Sequence, residues 1–282
     1  MEEYIKKAGV LLEALPYIQQ FASKTFVIKF GGSIASDNDL KEGFIKDIIL
    51  LKFIGINIII VHGGGKDIDT LLKKLGMKIN FHDGYRLTNE STMEVVEMVL
   101  SGKINKNLVA LINKFGGKAC GLSGKDGNLI VAEKIKTGKI DLGNVGVVKR
   151  INKEVLLTLD AAFIPVIAPV SMDETGNTLN INADLAAGAI AAELAAEKLI
   201  ILSDQDGLLD SKNELISSAK EKEIKKMIKD GIIHGGMIPK ANSCISALNL
   251  GVKKVHIING SVPHAVLLEI FTKKGIGTQI TH

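Results

Sequence analysis

Apolar, β-branched runs alternate along the chain with longer stretches whose apolar positions recur every three to four residues. The runs lie at 25–30, 56–61, 163–168, 198–203 and 254–259. They read as strands buried on both faces of a sheet. Stretches of helical period occupy 40–53, 92–100, 183–196 and 237–250. Alternation of this kind predicts βαβ units and a mainly parallel sheet with helices on both sides. Ligands of such sheets bind beyond the carboxyl ends of the strands, so the strand-to-helix loops are where chemistry is sought.

Two segments break the rhythm. Residues 128–150 alternate in short steps punctuated by glycine, which predicts a hairpin inserted into the α/β pattern. Residues 3–21 carry Ile5, Ala8, Leu12, Leu15 and Ile18, an amphipathic helical stripe interrupted at Pro16. This helix precedes the first core strand, so its apolar face calls for a partner surface.

Composition narrows the function classes. A length of 282 residues gives room for one large α/β domain or two lobes, and 46% hydrophobic residues fit a globular chain. A net charge of +4 is too small a bias for nucleic-acid binding but suits an anionic substrate. Three Tyr, nine Phe and no Trp offer few base-stacking platforms. Cys120 and Cys244 form no C-x-x-C pair and no Cys/His cluster, so they are expected to be free thiols, with no metal site. Met1-Glu2-Glu3 has the wrong charge for a signal peptide, and no uncharged apolar run approaches the ~18 residues of a membrane span. The expectation is a soluble cytoplasmic protein without a membrane or nucleic-acid partner.

No Walker A loop and no G-x-G-x-x-G fingerprint occur, so any nucleotide is held another way. Five clusters are candidates. Val27-Ile28-Lys29-Phe30-Gly31-Gly32-Ser33 ends an apolar strand with a lysine and two glycines, whose backbone can form an anion nest. Val61-His62-Gly63-Gly64-Gly65-Lys66 runs from strand to helix through three bare glycines, and the positive helix N-terminus adds to the site. Asn180-Ile181-Asn182-Ala183-Asp184 leads into a small-residue helix; capping explains Asn182 or Asp184 as readily as a site does. His234-Gly235-Gly236-Met237-Ile238-Pro239-Lys240 puts a cation early in a helix, which predicts an anionic partner for Lys240. Ser203-Asp204-Gln205-Asp206-Gly207 is an acidic turn after a strand, either plain surface or a contact to ribose or adenine.

Taken in order and spacing, these stretches resemble the amino acid kinase family along nearly the whole chain. Glu13 to Ile18, Gly84-Tyr85-Arg86-Leu87-Thr88, Gly121-Leu122-Ser123-Gly124-Lys125-Asp126-Gly127 and Gly275-Ile276-Gly277-Thr278 complete the match. Within the family the likeness is to members that phosphorylate N-acetyl-L-glutamate in arginine biosynthesis. The resemblance implies an α/β fold, an open, mainly parallel αβα sandwich in two lobes: an oligomerisation helix at 1–22, an acceptor lobe at 23–195, and an ATP lobe with an arginine site at 196–282. It implies Lys29 and Lys240 beside the transferred phosphoryl group, with Asp184 holding both lysines. Gly31, Gly32, Gly63, Gly64 and Gly65 would supply backbone donors, and Gly64, Gly65, Arg86 and Asn180 would clamp the acceptor. Ser203, Asp204, Gly207, Gly235, Gly236 and Met237 would meet ATP, with Mg²⁺ held mainly by phosphates and water. Ser123 stands where the family often has threonine, and Gln205 where an apolar residue is usual.

The chemistry fits these residue types. A Glu-like carboxylate has a pKa of about 4.3 and is already ionised, so no general base is needed. The obstacle is charge repulsion with ATP, which lysines, backbone N–H groups and Mg²⁺ relieve. Carbamate, aspartate or glutamate are the alternative acceptors, and a non-catalytic sensing domain is the alternative class. Arginine-sensitive members also imply a homo-hexamer, a trimer of dimers joined by the N-terminal helix. Their L-arginine site would here comprise Tyr17, Lys198, His264, Glu269, Gly275 and Gly277.

Overall fold

The computed structural model describes the chain except for Ser33, Ala35, Ser36, Thr137, Gly138, Lys139 and Ala161, and except for the side chains of Lys7 and Asp160. Ser33 of the first glycine loop and the middle of the 128–150 segment thus lie outside the described residues.

Helix α1 (Glu2–Phe21) leads into β1 (Thr25–Phe30), α2 (Asn38–Phe53), β2 (Asn57–His62) and α3 (Gly65–Lys74). A hairpin of β3 (Phe81–His82) and β4 (Tyr85–Arg86) follows, then α4 (Glu90–Glu97), a π-helical segment (Met98–Ile104) and α5 (Asn105–Lys114). Next come β5 (Ala119–Ser123), β6 (Ile130–Lys134), β7 (Val145–Ile151), α6 (Lys153–Asp160), β8 (Ile164–Ala168), β9 (Val170–Met172) and β10 (Thr178–Ile181). The chain closes with α7 (Ala183–Glu193), β11 (Lys198–Ser203), β12 (Ser218–Lys220), α8 (Glu221–Lys229), α9 (Met237–Asn249), β13 (Val255–Asn259), α10 (Ala265–Phe271) and β14 (Thr278–Thr281).

Eight strands form one sheet in the order β12-β14-β13-β11-β1-β2-β8-β5, parallel at every pairing except β13 with β14. The expected mainly parallel sheet is present. The expected hairpin is present as β6 and β7, which join β9 and β10 in a small closed barrel. Strand alternation divides the main sheet's side chains between two cores. Val27 packs with Ile190 of α7 and Leu248 of α9 on one face, while Phe26, Ile28 and Phe30 pack with Ile45 and Ile48 of α2 and Val266 of α10 on the other. Strand β1 lies between β11 and β2, where the strand order reverses. A crevice at the carboxyl end of β1 follows from that reversal.

Two expectations are corrected. Pro16 does not interrupt the first helix, which runs through it. A proline removes one backbone donor, and the turn beyond it is pinned by Tyr17, edge-on to Phe271, and by Phe21, edge-on to Phe26. The helix expected at 92–100 is a longer rod, α4 through α5, whose middle widens into a π turn.

Candidate active site

Lys29 is the fifth residue of β1. Its Nζ lies 2.8 Å from Asp184 Oδ1, and both side chains are about one-eighth exposed. Asp184 is held at the start of α7 because Asn182 caps that helix, its Oδ1 accepting from the Asp184 and Leu185 N–H groups. Capping therefore accounts for Asn182 and ion pairing for Asp184. Lys29 folds back over Gly31, where an added Cβ would sit 3.3 Å from Nζ and 3.8 Å from the Gly63 nitrogen. The first lysine and the second glycine loop are thus neighbours.

The triplet Gly63-Gly64-Gly65 turns β2 into α3. Gly64 has no room for a side chain: a Cβ there would overlap Leu100 and Ile104 from the π segment. Gly65 leads to Arg86, whose Nη2 donates to the Gly65 carbonyl at 3.4 Å. Arg86 is buried on β4, its Nη1 2.6 Å from Asp69 Oδ1 and its guanidinium 4.7 Å above the Phe81 ring. Thr88 links Arg86 to Asn180: its hydroxyl donates to the Arg86 carbonyl at 2.8 Å and accepts from Asn180 Nδ2 at 3.3 Å. Lys29, Asp184, Gly64, Gly65, Arg86 and Asn180, widely spaced in the chain, are therefore joined by one run of contacts from the carboxyl end of β1. Thr88 stands in the matched stretch 84–88 without a role assigned from sequence, and Asp69 was not singled out; the signal for Asp69 was its spacing, one helical turn after Gly65.

His62 ends β2 and is fully buried. Its Nδ1 contacts the Gly63 carbonyl at 3.0 Å and its Nε2 the Asn105 Nδ2 at 3.2 Å. A carbonyl only accepts, so Nδ1 carries the proton and Nε2 accepts. Burial is the main cause holding His62 down at about 4, so the ring is neutral near pH 7.

A cavity of about 520 Å³ opens on the other side of the cleft, lined by Asp204, Gln205, Gly207, Gly235, Gly236, Met237 and Lys240. A Cβ at Gly235 or Gly236 would meet nothing within 4 Å, so the backbone there is open to a ligand. Gly207, at φ +151, has no such freedom: its Cβ would lie 2.5 Å from Thr278 Oγ1. Ser203 is buried behind the cavity, its hydroxyl accepting from the Gln205 N–H. Among the described residues Lys240 makes no ion pair within 4.0 Å, and the pair formed by Asp184 is with Lys29. Lys240 is nonetheless near that pair. The buried Cys244 thiol, one turn further along α9, is pushed up mainly by burial and then by Asp184, against the opposing influence of Lys240 and Lys29. Gly32, at φ +75, has open space around it. Ser123 donates its hydroxyl to Asp126 at 2.8 Å, a bond that a threonine would also make.

Most of the residues assigned to an arginine site gather where α1 meets α10. Lys198 is buried with Nζ 5.2 Å from the Phe21 ring centre. Glu269 Oε1 meets His256 Nδ1 at 2.6 Å, and its Oε2 accepts from the Ile276 and Gly277 N–H groups. Gly275 sits so close that a Cβ would lie 2.5 Å from Glu269 Oε2. His264 stands apart at the start of α10, paired with Asp47 at 2.6 Å.

The amino acid kinase family model matches residues 24–259. The acetylglutamate kinase of Sulfurihydrogenibium sp. is 52% identical over 298 aligned residues, covering all of both chains. Those of Aquifex aeolicus and Methanocaldococcus jannaschii are 53% and 51% identical, covering all of this chain and 99% and 98% of theirs. Among solved structures, N-acetylglutamate synthase from Neisseria gonorrhoeae, complexed with coenzyme A and N-acetyl-glutamate, superposes with a TM-score of 0.87 at 26% identity. That match covers 98% of this chain and 63% of the synthase. Carbamate kinase from Giardia lamblia, at 17% identity and a TM-score of 0.65, shares the fold over 92% of this chain. With a family model spanning most of its length and full-length relatives above 50% identity, the chain belongs to the amino acid kinase family.

Proposed function

We propose that this chain transfers the γ-phosphoryl group of MgATP to the side-chain carboxylate of N-acetyl-L-glutamate. The observation that carries the reading is the line from the Lys29–Asp184 pair, through the glycine triplet, to buried Arg86. An ammonium for the phosphoryl oxygens at one end and a guanidinium fork for a carboxylate at the other fit a substrate with two carboxylates, and relatives at 51–53% identity are acetylglutamate kinases. The acceptor lies on 23–195 and the nucleotide on 196–282.

Asp184 holds Lys29 by its ammonium, so the charge is in place before the phosphoryl group moves. Lys240, in the first turn of α9, faces the nucleotide cavity and stabilises the phosphoryl oxygens from the opposite side. The N–H groups at the start of α3 face the incoming carboxylate, and its α-carboxylate pairs with Arg86, beside Asn180. Among the described residues no group of three acidic, His or Cys side chains could cage a metal. The nucleotide cavity, with its bare glycine backbone and a lysine, suits a metal that arrives on ATP and keeps phosphate and water ligands. Bound there, Mg²⁺ would supply charge neutralisation for the phosphates.

Regulation by L-arginine and assembly into a hexamer through α1 are part of the same reading. Their support is the exposed stripe of Ile5, Leu12 and Leu15 and the buried Lys198 beside Glu269. The related synthase also crystallises with L-arginine. We place the reaction in the cytoplasm, in keeping with two free cysteines; no helix among the described residues is long and apolar enough to cross a membrane. ATP consumption with N-acetyl-L-glutamate, glutamate, aspartate and carbamate tests the substrate. Faster turnover with any of the other three overturns it. Arg86→Lys should raise KM for N-acetyl-L-glutamate and leave KM for ATP unchanged, since lysine has no fork.

A further inference from the structure

The three glycines between Lys29 and Arg86 have no side chains to fix them, yet their peptide planes must point donors at the reacting oxygens. What fixes them is the preceding residue. His62 is buried at the end of β2 and gives its Nδ1–H to the Gly63 carbonyl at 3.0 Å. A trans peptide is planar, with its C=O and the following N–H pointing in opposite directions. Drawing the Gly63 carbonyl toward His62 therefore turns the Gly64 N–H the other way. That N–H lies at the mouth of α3, where helix geometry provides no acceptor. The Gly63 nitrogen is committed to the Phe30 carbonyl at 2.8 Å, so the segment is pinned on both sides of one peptide.

We propose that His62 is a positioning residue for phosphoryl transfer, and that its Nδ1–H sets the Gly63–Gly64 peptide so that the Gly64 N–H faces the cleft between Lys29 and Arg86. Asn105 completes the device. Its Nδ2 reaches His62 Nε2 at 3.2 Å, the Val166 carbonyl at 2.9 Å and the Leu122 carbonyl at 3.1 Å. The two carbonyls require the amide nitrogen on that side, so His62 Nε2 must be the accepting nitrogen. The proton is thereby kept on Nδ1. Asn105 follows the π segment directly, and Leu100 and Ile104 of that segment fill the space against Gly64. One widened turn thus supports both the histidine and the glycine it orients.

The inference rests on the carboxyl-phosphorylating reading of the site, and two variants test it. In His62→Asn the side-chain amide falls near the Nδ1 position and can still donate to the Gly63 carbonyl. In His62→Gln the amide falls near Nε2, keeping the Asn105 partner but losing the donor. The expected order is His62→Asn within about three-fold of wild-type kcat and His62→Gln down by ten-fold or more, in line with the effect of one misplaced oxyanion donor. KM for ATP should stay unchanged in both. Equal activities, or the reverse order, overturn the proposal, because a purely structural role would favour the variant closer in size to histidine. Should neither variant fold, ¹⁵N-histidine NMR of the wild-type enzyme at neutral pH decides: the Nδ1–H tautomer at His62 supports the proposal and the Nε2–H tautomer ends it. Wild-type turnover with N-acetyl-L-glutamate is the control. Its failure would sink the substrate reading and leave the tautomer measurement as the test of His62.

Discussion

Two lysines reach the cleft from different elements, and only one is tied down. Lys29 is fixed by Asp184, whereas Lys240 is free among the described residues to follow a phosphoryl group. Lys240→Ala should lower kcat on the order of 10²-fold with a smaller change in acceptor KM; steady-state kinetics on the folded variant reads this directly. Lys29→Ala should cost a similar factor. The glycines separate by space. Gly64→Ala forces a methyl against Leu100 and Ile104, at a cost of about 1–3 kcal/mol. Gly65→Ala places it 3.9 Å from Arg86 Nη2, an ordinary contact. Thermal melts should therefore show a loss for Gly64→Ala and little change for Gly65→Ala. His62 gives a pH dependence. Its pKa is about 4 in the folded chain against an ordinary 6.5, so the unfolded chain binds the proton more readily. The contribution is complete above pH 6.5 and is lost as pH falls toward 4. Lys106, whose ammonium disfavours charge on the ring, faces it from α5. Melting temperature against pH should fall less steeply over that window in His62→Asn than in wild type.

The elements place these residues through a few close approaches. Helices α7 and α9 carry Asp184 and Lys240, and they pack closely because α7 is built of Ala and Gly: a Cβ on Gly188 would lie 3.1 Å from the Ala247 Cβ. The small-residue composition of α7 is what lets the helix bearing Asp184 pack against the helix bearing Lys240. The π segment has a cost of its own. Ser101 Oγ is buried there with no hydrogen-bond partner among the described residues. Removing an unsatisfied hydroxyl relieves its desolvation, so Ser101→Ala should hold or raise the melting temperature while leaving kcat intact. A loss of more than about 1 kcal/mol in that variant would mean the hydroxyl has a partner in solution. The β3–β4 hairpin spans the cleft at its tip, where a Cβ on Gly84 would lie 3.7 Å from Pro239, next to Lys240.

At the scale of the molecule, helix α1 is the part that does not fit a solitary chain. Ile5, Leu11 and Leu12 are each roughly two-thirds exposed or more, while the last turn docks on Phe271 and Phe26. An apolar stripe of that length facing water is an aggregation liability unless another surface covers it. Deleting residues 1–20 should give a smaller oligomer that retains kinase activity and is no longer inhibited by arginine. Light scattering and an arginine titration of the assay read the two outcomes. The Lys198–Glu269 region lies beside the root of this helix, so an effector there would bias how α1 leaves the body, with coupling of about 1–3 kcal/mol in typical cases. An intact protein that is dimeric and indifferent to arginine would overturn this arrangement.

The sequence by itself determined the parallel sheet and the sites of its loops. Apolar runs of strand length alternating with helical periods admit few other folds, and glycines next to strand ends mark where backbone must stay bare. It also determined the chemistry on offer: two lysines, one aspartate and an arginine at family spacing. Tertiary structure decided who pairs with whom. Asp184 meets Lys29 because β1 and α7 pack across the sheet, and Arg86 is claimed by Asp69 and Phe81, neither of which its own neighbours announce. The roles of His62 and Asn105 were hidden for the same reason. A buried histidine and an asparagine 43 residues on read as ordinary polar positions until the π turn brings them within 3.2 Å. Local pattern fixes which way a side chain faces along its own element; ion pairs and tautomers are set by groups distant in the chain, and only packing brings those together.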